Sequence, residues 1–228
     1  AYMKLSRREA RHCQEIVAAV REAVGPDVDI LIEGHDRFSI SAAIEIANWL
    51  AEYEPTWFET PVNSNDLEAT IAVARASPVR VIAGERWRDP RIFARFLAEE
   101  VTDIVNPEPL GLGGIWRTLE VAAIARAHDC DLALHNAESP FKTMVALHIC
   151  AVTPNIFIQE CFDDFLEPWT AKVLKGYLRV KDGHLAMPTA PGIGVELDEK
   201  EAKKHPYSPK NFLRLFEPGW ERREKAKS

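Results

Sequence analysis

Residues 30–39 read ILIEGHDRFS: three aliphatic side chains run directly into Glu33, His35, Asp36 and Arg37. An apolar run of this length suits a strand covered on both faces. Its abrupt polar end makes that strand a rigid mount for chemistry. Comparable runs recur at 56–58, 79–83, 102–105, 131–134 and 155–158, each followed by a helical pattern. The order is βαβα, which predicts a parallel sheet. The first polar residues beyond these runs are Glu33, Glu59, Glu85, Glu108, His135 and Glu160, at steps of 26, 26, 23, 27 and 25 residues. In a (β/α) barrel such positions ring the C-terminal mouth, whereas an open doubly wound sheet would set them along a line. Convergence of five carboxylates and an imidazole favours the ring.

The helix starts carry readable caps. Ser6 with Glu9, Asn65 with Glu68, Asp89 before Pro90 and Ser139 before Pro140 each offer an oxygen to unpaired amides. Only six βα-type units are visible, against the eight strands of a closed barrel. The chain opens on a helical pattern at about residues 6–24, so two strands are expected before residue 1. Residues 1–161 are expected to form this partial barrel. Residues 162–228, rich in prolines and turns and ending in a charged tail, are expected to pack elsewhere as an extension.

With 228 residues, 46% of them hydrophobic, the chain is long enough for one large domain with a core. The net charge of −7 comes without a basic stripe, which argues against nucleic acid. An acidic substrate stays compatible, because a bound cation reverses the local field. Cys13, Cys130, Cys150 and Cys161 form no C-x-x-C pair and are expected to be reduced, packed thiols of a cytoplasmic protein. No apolar run approaches the ~20 residues that cross a bilayer, and no membrane partner is expected. The opening AYMKLSRREA has no signal-peptide core, and the chain does not begin with Met.

Three carboxylates brought to adjacent strand ends by one repeated spacing are a hard-oxygen site suited to Mg²⁺. Without a cation their repulsion would raise their pKa values and cost stability. His35 lies two residues beyond Glu33 and on an extended backbone points the same way, which makes it a candidate general acid. His135 ends DLALHN, and Glu108 from the neighbouring strand is expected to orient it as a base. Glu160 either stays protonated against a developing oxyanion or anchors a substrate hydroxyl. Trp87, two residues past Glu85, is a candidate ligand contact. GLGG at 111–114 lacks the Lys-Ser/Thr of a phosphate loop and reads as a tight βα turn. No G-x-S-x-G is present, and acyl transfer has no support.

In their order, IEGH, WFETPV, IAGERW, NPEPLGLGGIWRTLEVAAIARAHDCDLALHN, IQE and APGIGVELDE resemble the enolase superfamily. The likeness is to its mandelate racemase and muconate lactonizing branch, and within that to the acid-sugar dehydratases of galactonate type. The resemblance implies a (β/α)7β TIM-like barrel, here without its first strands and the N-terminal α+β capping domain. It implies Glu33, Glu59 and Glu85 as Mg²⁺ ligands, His135 as a base paired with Glu108, Glu160 near the substrate carboxylate, and His35 as the acid serving the departing hydroxyl. The implied partner is a small-molecule sugar acid, and the implied assembly a homo-oligomer. A racemase or epimerase of a 2-hydroxy acid using the same enediolate, or a catalytically silent barrel, are the alternatives. Two residues depart from the branch pattern: Thr60 stands where a second Glu is usual, and Glu108 where Asp is usual.

Overall fold

A computed structural model describes residues 3–209. Helix α1 (Arg7–Val24) opens on a capping box in which Ser6 and Glu9 satisfy each other's backbone N–H. Strand β1 (Leu31–Glu33) follows, then α2 (Ile40–Leu50), β2 (Trp57–Glu59), α3 (Leu67–Ala76), β3 (Val81–Ile82), α4 (Pro90–Leu97) and β4 (Ile104–Val105). The order continues with α5 (Pro109–Leu112), α6 (Ile115–Ala127), β5 (Asp131–Leu134), α7 (Pro140–Val152) and β6 (Ile156–Gln159). Each apolar run of the sequence has become a strand.

The strands form two three-stranded parallel sheets, β1-β2-β3 and β4-β5-β6. The Asn106 N–H donates to the Ala83 carbonyl at 3.3 Å and joins the two at β3 and β4. Helices cover one face. Phe58, Val81, Val105, Leu132 and Leu134 pack there against Leu50, Phe93, Phe96, Val121 and Ile149 in one buried cluster. Each such side chain contributes about 1.5–3 kcal/mol on leaving water. The opposite face carries a second buried group, Trp57, Ile82, Ile104 and Ala133. Trp57 meets Phe157 edge-on with ring centroids 5.9 Å apart. Toward the outer strands this face opens: Leu31 is 45% exposed, Phe157 44% and Ile158 49%. Among the described residues neither β1 nor β6 has a partner on its outer edge.

Three of the four expected caps are present. The fourth moves by one residue: Asp66, not Asn65, accepts the Ala69 N–H, while the Asn65 N–H is held by the side chain of Asn63. An Asx turn at Asn63 has taken up the residue that the cap pattern pointed to. Trp87 also departs from expectation. It is 3% exposed, donates its indole N–H to the Ser64 carbonyl at 2.9 Å, and packs edge-on against Phe93 and Phe96. It is a core residue behind the rim, not a ligand contact.

Beyond β6 the chain forms α8 (Thr170–Val173), an antiparallel pair of β7 (Leu174–Lys175) and β8 (Glu196–Leu197), and α9 (Glu199–Ala202). Ile193 packs on the main core, and its carbonyl lies 3.2 Å from His148 Nε2 on α7. Residues 210–228 of the expected extension lie outside the described residues. No helix among the described residues is long and apolar enough to cross a membrane.

Candidate metal centre and proton-transfer site

Parallel register sets Glu33 directly opposite Glu59, and Glu59 opposite Ile82. Glu85 follows three residues after Ile82, so the three side chains arrive at one end of three adjacent strands. Close approach of the backbone makes this possible. A Cβ on Gly34 would stand 2.6 Å from Pro61 Cα and 3.0 Å from the Glu59 carbonyl oxygen. The Gly34 N–H donates to that same carbonyl at 2.7 Å. His35 and Asp36 then turn through the left-handed region, with φ of 56° and 59°. The Asp36 carboxylate clamps the turn: one oxygen accepts from Ser64 N–H and Oγ–H at 2.9 and 2.6 Å, and the other pairs with Arg86 Nε at 2.8 Å. Arg86 Nε also lies 3.2 Å from Glu85 Oε1.

One oxygen from each of Glu33, Glu59 and Glu85 lies within 4.8 Å of the others. Burial and then the neighbouring carboxylates push the Glu33 carboxyl well up from its ordinary value. Glu59 is raised to about 7 by burial, with Glu160 and Glu85 adding to it and the Trp57 indole opposing. Glu33 remains open to solvent at the rim. Trp57 Nε1 at 3.3 Å and the Asn106 amide both donate to Glu59 and aim it. Three hard oxygen donors in mutual repulsion are the donor set that a divalent cation such as Mg²⁺ relieves. The residues present fit it.

The remaining expected residues join the same mouth, with two corrections. His135 Nε2 is 3.0 Å from Glu85 Oε2. Its Nδ1 does not meet Glu108; it faces Lys142 Nζ at 3.4 Å, and Lys142 Nζ is 2.8 Å from Glu108 Oε1. The implied His135–Glu108 pair therefore runs through an interposed ammonium. The physical reason is that Glu108 caps α5, taking N–H groups from Leu110 at 3.0 Å and Gly111 at 2.6 Å. Burial pushes the Glu108 carboxyl up, but Lys142 and these amides outweigh it and hold it below its ordinary value. The second correction concerns His35, whose backbone is left-handed rather than extended. Its N–H nevertheless returns to Glu33 Oε1 at 2.5 Å. Burial, assisted by Arg37 and Arg86, holds the His35 imidazole below its ordinary pKa against the opposing charge of Glu85. Glu160 accepts the Asn136 N–H at 2.5 Å, and its charge reaches both Glu33 and Glu59.

Sequence reasoning missed Lys142, Asn106 and the Asp36–Arg86 clamp. Lys142 did leave a trace: it is the single charged residue in PFKTMVALHICAV. Thr60, which departs from the branch pattern, is buried at φ 41° with its hydroxyl oxygen unpartnered.

The domain is a parallel α/β fold that gathers carboxylates and an imidazole at its strand ends. Within that class the chain belongs to the enolase C-terminal domain-like family, whose model matches residues 2–201. It is 33% identical over 96% of its length to a D-gluconate dehydratase of Thermoproteus tenax, covering 44% of that protein. It is 32% identical over 90% of its length to a D-gluconate/D-galactonate dehydratase of Picrophilus torridus, covering 52% of it. A mandelate racemase/muconate lactonizing enzyme structure from Sulfitobacter superposes with a TM-score of 0.83 at 34% identity, over 90% of this chain and 51% of that one. The chain thus spans about half the length of the relatives it matches.

Proposed function

We propose that this chain carries the active site of a Mg²⁺-dependent acid-sugar dehydratase, a carbon–oxygen lyase that converts an aldonate or aldarate into a 2-keto-3-deoxy acid. The observation that carries the reading is the junction of two sets of groups: the Glu33, Glu59 and Glu85 cluster, and His135, whose Nε2 lies 3.0 Å from a member of it. Glu33, Glu59 and Glu85 hold the cation. When bound, Mg²⁺ supplies positive charge against the negative charge that develops on a substrate carboxylate as its α-proton leaves.

The chain's own groups account for the proton movements. His135 Nε2 faces the cluster and takes the proton from the α-carbon. His35, on the turn after Glu33, gives a proton to the β-hydroxyl, which departs as water. The electron pair of the broken C–H bond becomes the new C=C bond, and the C–O pair leaves with the hydroxyl. The resulting enol tautomerises to the keto acid. Glu160 anchors a substrate hydroxyl or carboxylate beside Glu59. Homologous dehydratases named for gluconate and galactonate support the substrate class. The open inner side chains Leu31, Phe157 and Ile158 support a curved sheet completed by further strands in the working enzyme, a homo-oligomer in this reading.

The test is to incubate the full-length protein with a panel of aldonates and aldarates and to assay 2-keto acid with and without Mg²⁺. Mg²⁺-dependent 2-keto acid formation is the expected result. Exchange or inversion at the α-carbon without water loss would replace the dehydratase by an epimerase, and no Mg²⁺ binding would remove both.

A further inference from the structure

Thr143 is wholly buried in α7, where a valine would fill the same volume. Its hydroxyl is used on both sides. Oγ1 accepts from the Asn136 carboxamide, with Nδ2 at 2.7 Å, and donates to Asp163 Oδ1 at 2.9 Å in the turn after β6. The second Nδ2 hydrogen of Asn136 goes to the Glu160 carbonyl at 3.0 Å, which also accepts from Gln159 Nε2 at 2.6 Å. The Asn136 backbone N–H goes to the Glu160 carboxylate at 2.5 Å. Asn136 thus grips Glu160 at both its backbone and its side chain.

The polarity of this chain of hydrogen bonds is set at its two ends. A carbonyl and a carboxylate accept, whereas a hydroxyl can do either. Asn136 must therefore turn Nδ2, not Oδ1, to the Glu160 carbonyl, and Thr143, its own hydrogen given to Asp163, faces Asn136 as an acceptor. Oδ1 of Asn136 is buried without a partner, so the orientation of the amide rests on its donors. Without the link to Asp163 the hydroxyl would be free to give its hydrogen to that Oδ1, and the amide would lose its reason to face Glu160. Asn136 is 1% exposed, while Glu160 stands exposed on the rim; order passes from the interior outward. The backbone of His135 is held separately, its N–H donating to the Pro107 carbonyl at 3.1 Å.

We infer that Thr143 and Asp163 are positioning residues for Glu160: they lock the Asn136 carboxamide, and Asn136 fixes the Glu160 carboxylate at the mouth. The inference rests on the reading of Glu160 as a substrate anchor. Its weight falls on binding and not on proton transfer, because the groups it holds lie beside the anchor and His135 has its own support.

The experiment is ¹H–¹⁵N NMR of the full-length protein labelled with ¹⁵N-asparagine, following exchange of the side-chain amide protons in D₂O and assigning Asn136 by loss of its signals in Asn136→Asp. Slow exchange of both Nδ2 protons is expected in wild type, and fast exchange in Thr143→Val and Asp163→Ala. In steady-state kinetics with whichever sugar acid is turned over, both variants should raise KM about tenfold with kcat changed less than about threefold. Thr143→Ser keeps the hydroxyl and should bring KM back to within about twofold of wild type. Exchange of Asn136 at the rate of an exposed asparagine in wild type overturns the inference, and that measurement decides even where the variants do not fold. Wild-type KM in Thr143→Val overturns it as well, and so does a Thr143→Ser variant as impaired as Thr143→Val, which would assign the effect to packing. A wild-type protein without dehydratase activity would retire the proposed function, and the exchange comparison between wild type and Thr143→Val would still decide the lock on Asn136.

Discussion

The two three-stranded sheets present opposite electrostatic solutions at the same rim. On β1-β2-β3 the strand ends carry Glu33, Glu59 and Glu85, which repel one another and are only partly offset by Arg86 and amide donors. On β4-β5-β6 the carboxylate Glu108 is neutralised inside the chain by Lys142, and the imidazole His135 lies against that pair. One half leaves its carboxylates largely unneutralised, and the other carries its own cation. A net charge of −7 says nothing of this division; it follows from which helix places a lysine behind which strand.

The sharpest way to break the comparison is to remove a carboxylate from each half. Glu59→Gln takes out the central member of the cluster, and the Mg²⁺-induced rise in Tm should disappear in calorimetry. Dehydratase activity should fall by about 10³-fold, the scale on which a charge-stabilising group in a water-poor site acts. A Glu59→Gln protein that still gains stability from Mg²⁺ would show that the cluster is not the metal site.

Glu108→Leu should behave differently. It strands the Lys142 ammonium in the interior, which costs about 3 kcal/mol in urea unfolding, and Mg²⁺ should not selectively restore that loss. Adding Lys142→Met should recover most of it, because no buried charge then lacks a partner. If the double variant is no more stable than the single one, the pair is not what balances this half.

Gly34→Ala tests the geometry beneath the metal half. Its Cβ would press on Pro61 and the Glu59 carbonyl, and relief requires β1 and β2 to separate where Glu33 faces Glu59. The expected cost is about 2 kcal/mol, with weaker Mg²⁺ binding by titration calorimetry. Gly25→Ala is a useful contrast, since nothing lies within 4 Å of a Cβ there. Its φ of 79° still adds backbone strain, but Mg²⁺ affinity should not move.

Legibility in the sequence followed the same division. The spacing of 26 residues between Glu33, Glu59 and Glu85 was readable because a βα repeat and parallel register fix where each strand ends. The six strands were readable from apolar runs for the same reason. The proton-transfer half was legible only in part. His135 and Glu108 stand at strand ends, but Lys142 enters from a helix, and no repeat places a helix residue against a strand end. Glu108 looked like a partner for His135, and its extra methylene was readable; its role as the cap of α5 was a tertiary fact. The turn at His35 and Asp36 was likewise set by contacts with Thr60, Pro61 and Ser64 that no local pattern announces.

The smallest predicted effect separates the halves by the sign of their pH dependence. Glu33 and Glu59 have folded pKa values raised above the ordinary 4.5. Between that value and the folded one the native state holds more protons than the unfolded chain, so metal-free stability falls as pH rises through this window. Since solvent reaches both groups, the fall should be on the order of 1 kcal/mol from pH 5 to 8, or about 2–4 °C in Tm. Saturating Mg²⁺ should cancel it, because the cation takes the place of the protons. Glu108 has the opposite sign: its folded pKa is depressed, so its contribution is present above the ordinary carboxyl range and is lost as pH falls below it. Glu59→Gln should therefore flatten the neutral slope and leave the acid limb, while Glu108→Leu should do the reverse. A neutral slope that survives Glu59→Gln unchanged would mean that the carboxylates of the first sheet do not carry the repulsion assigned to them.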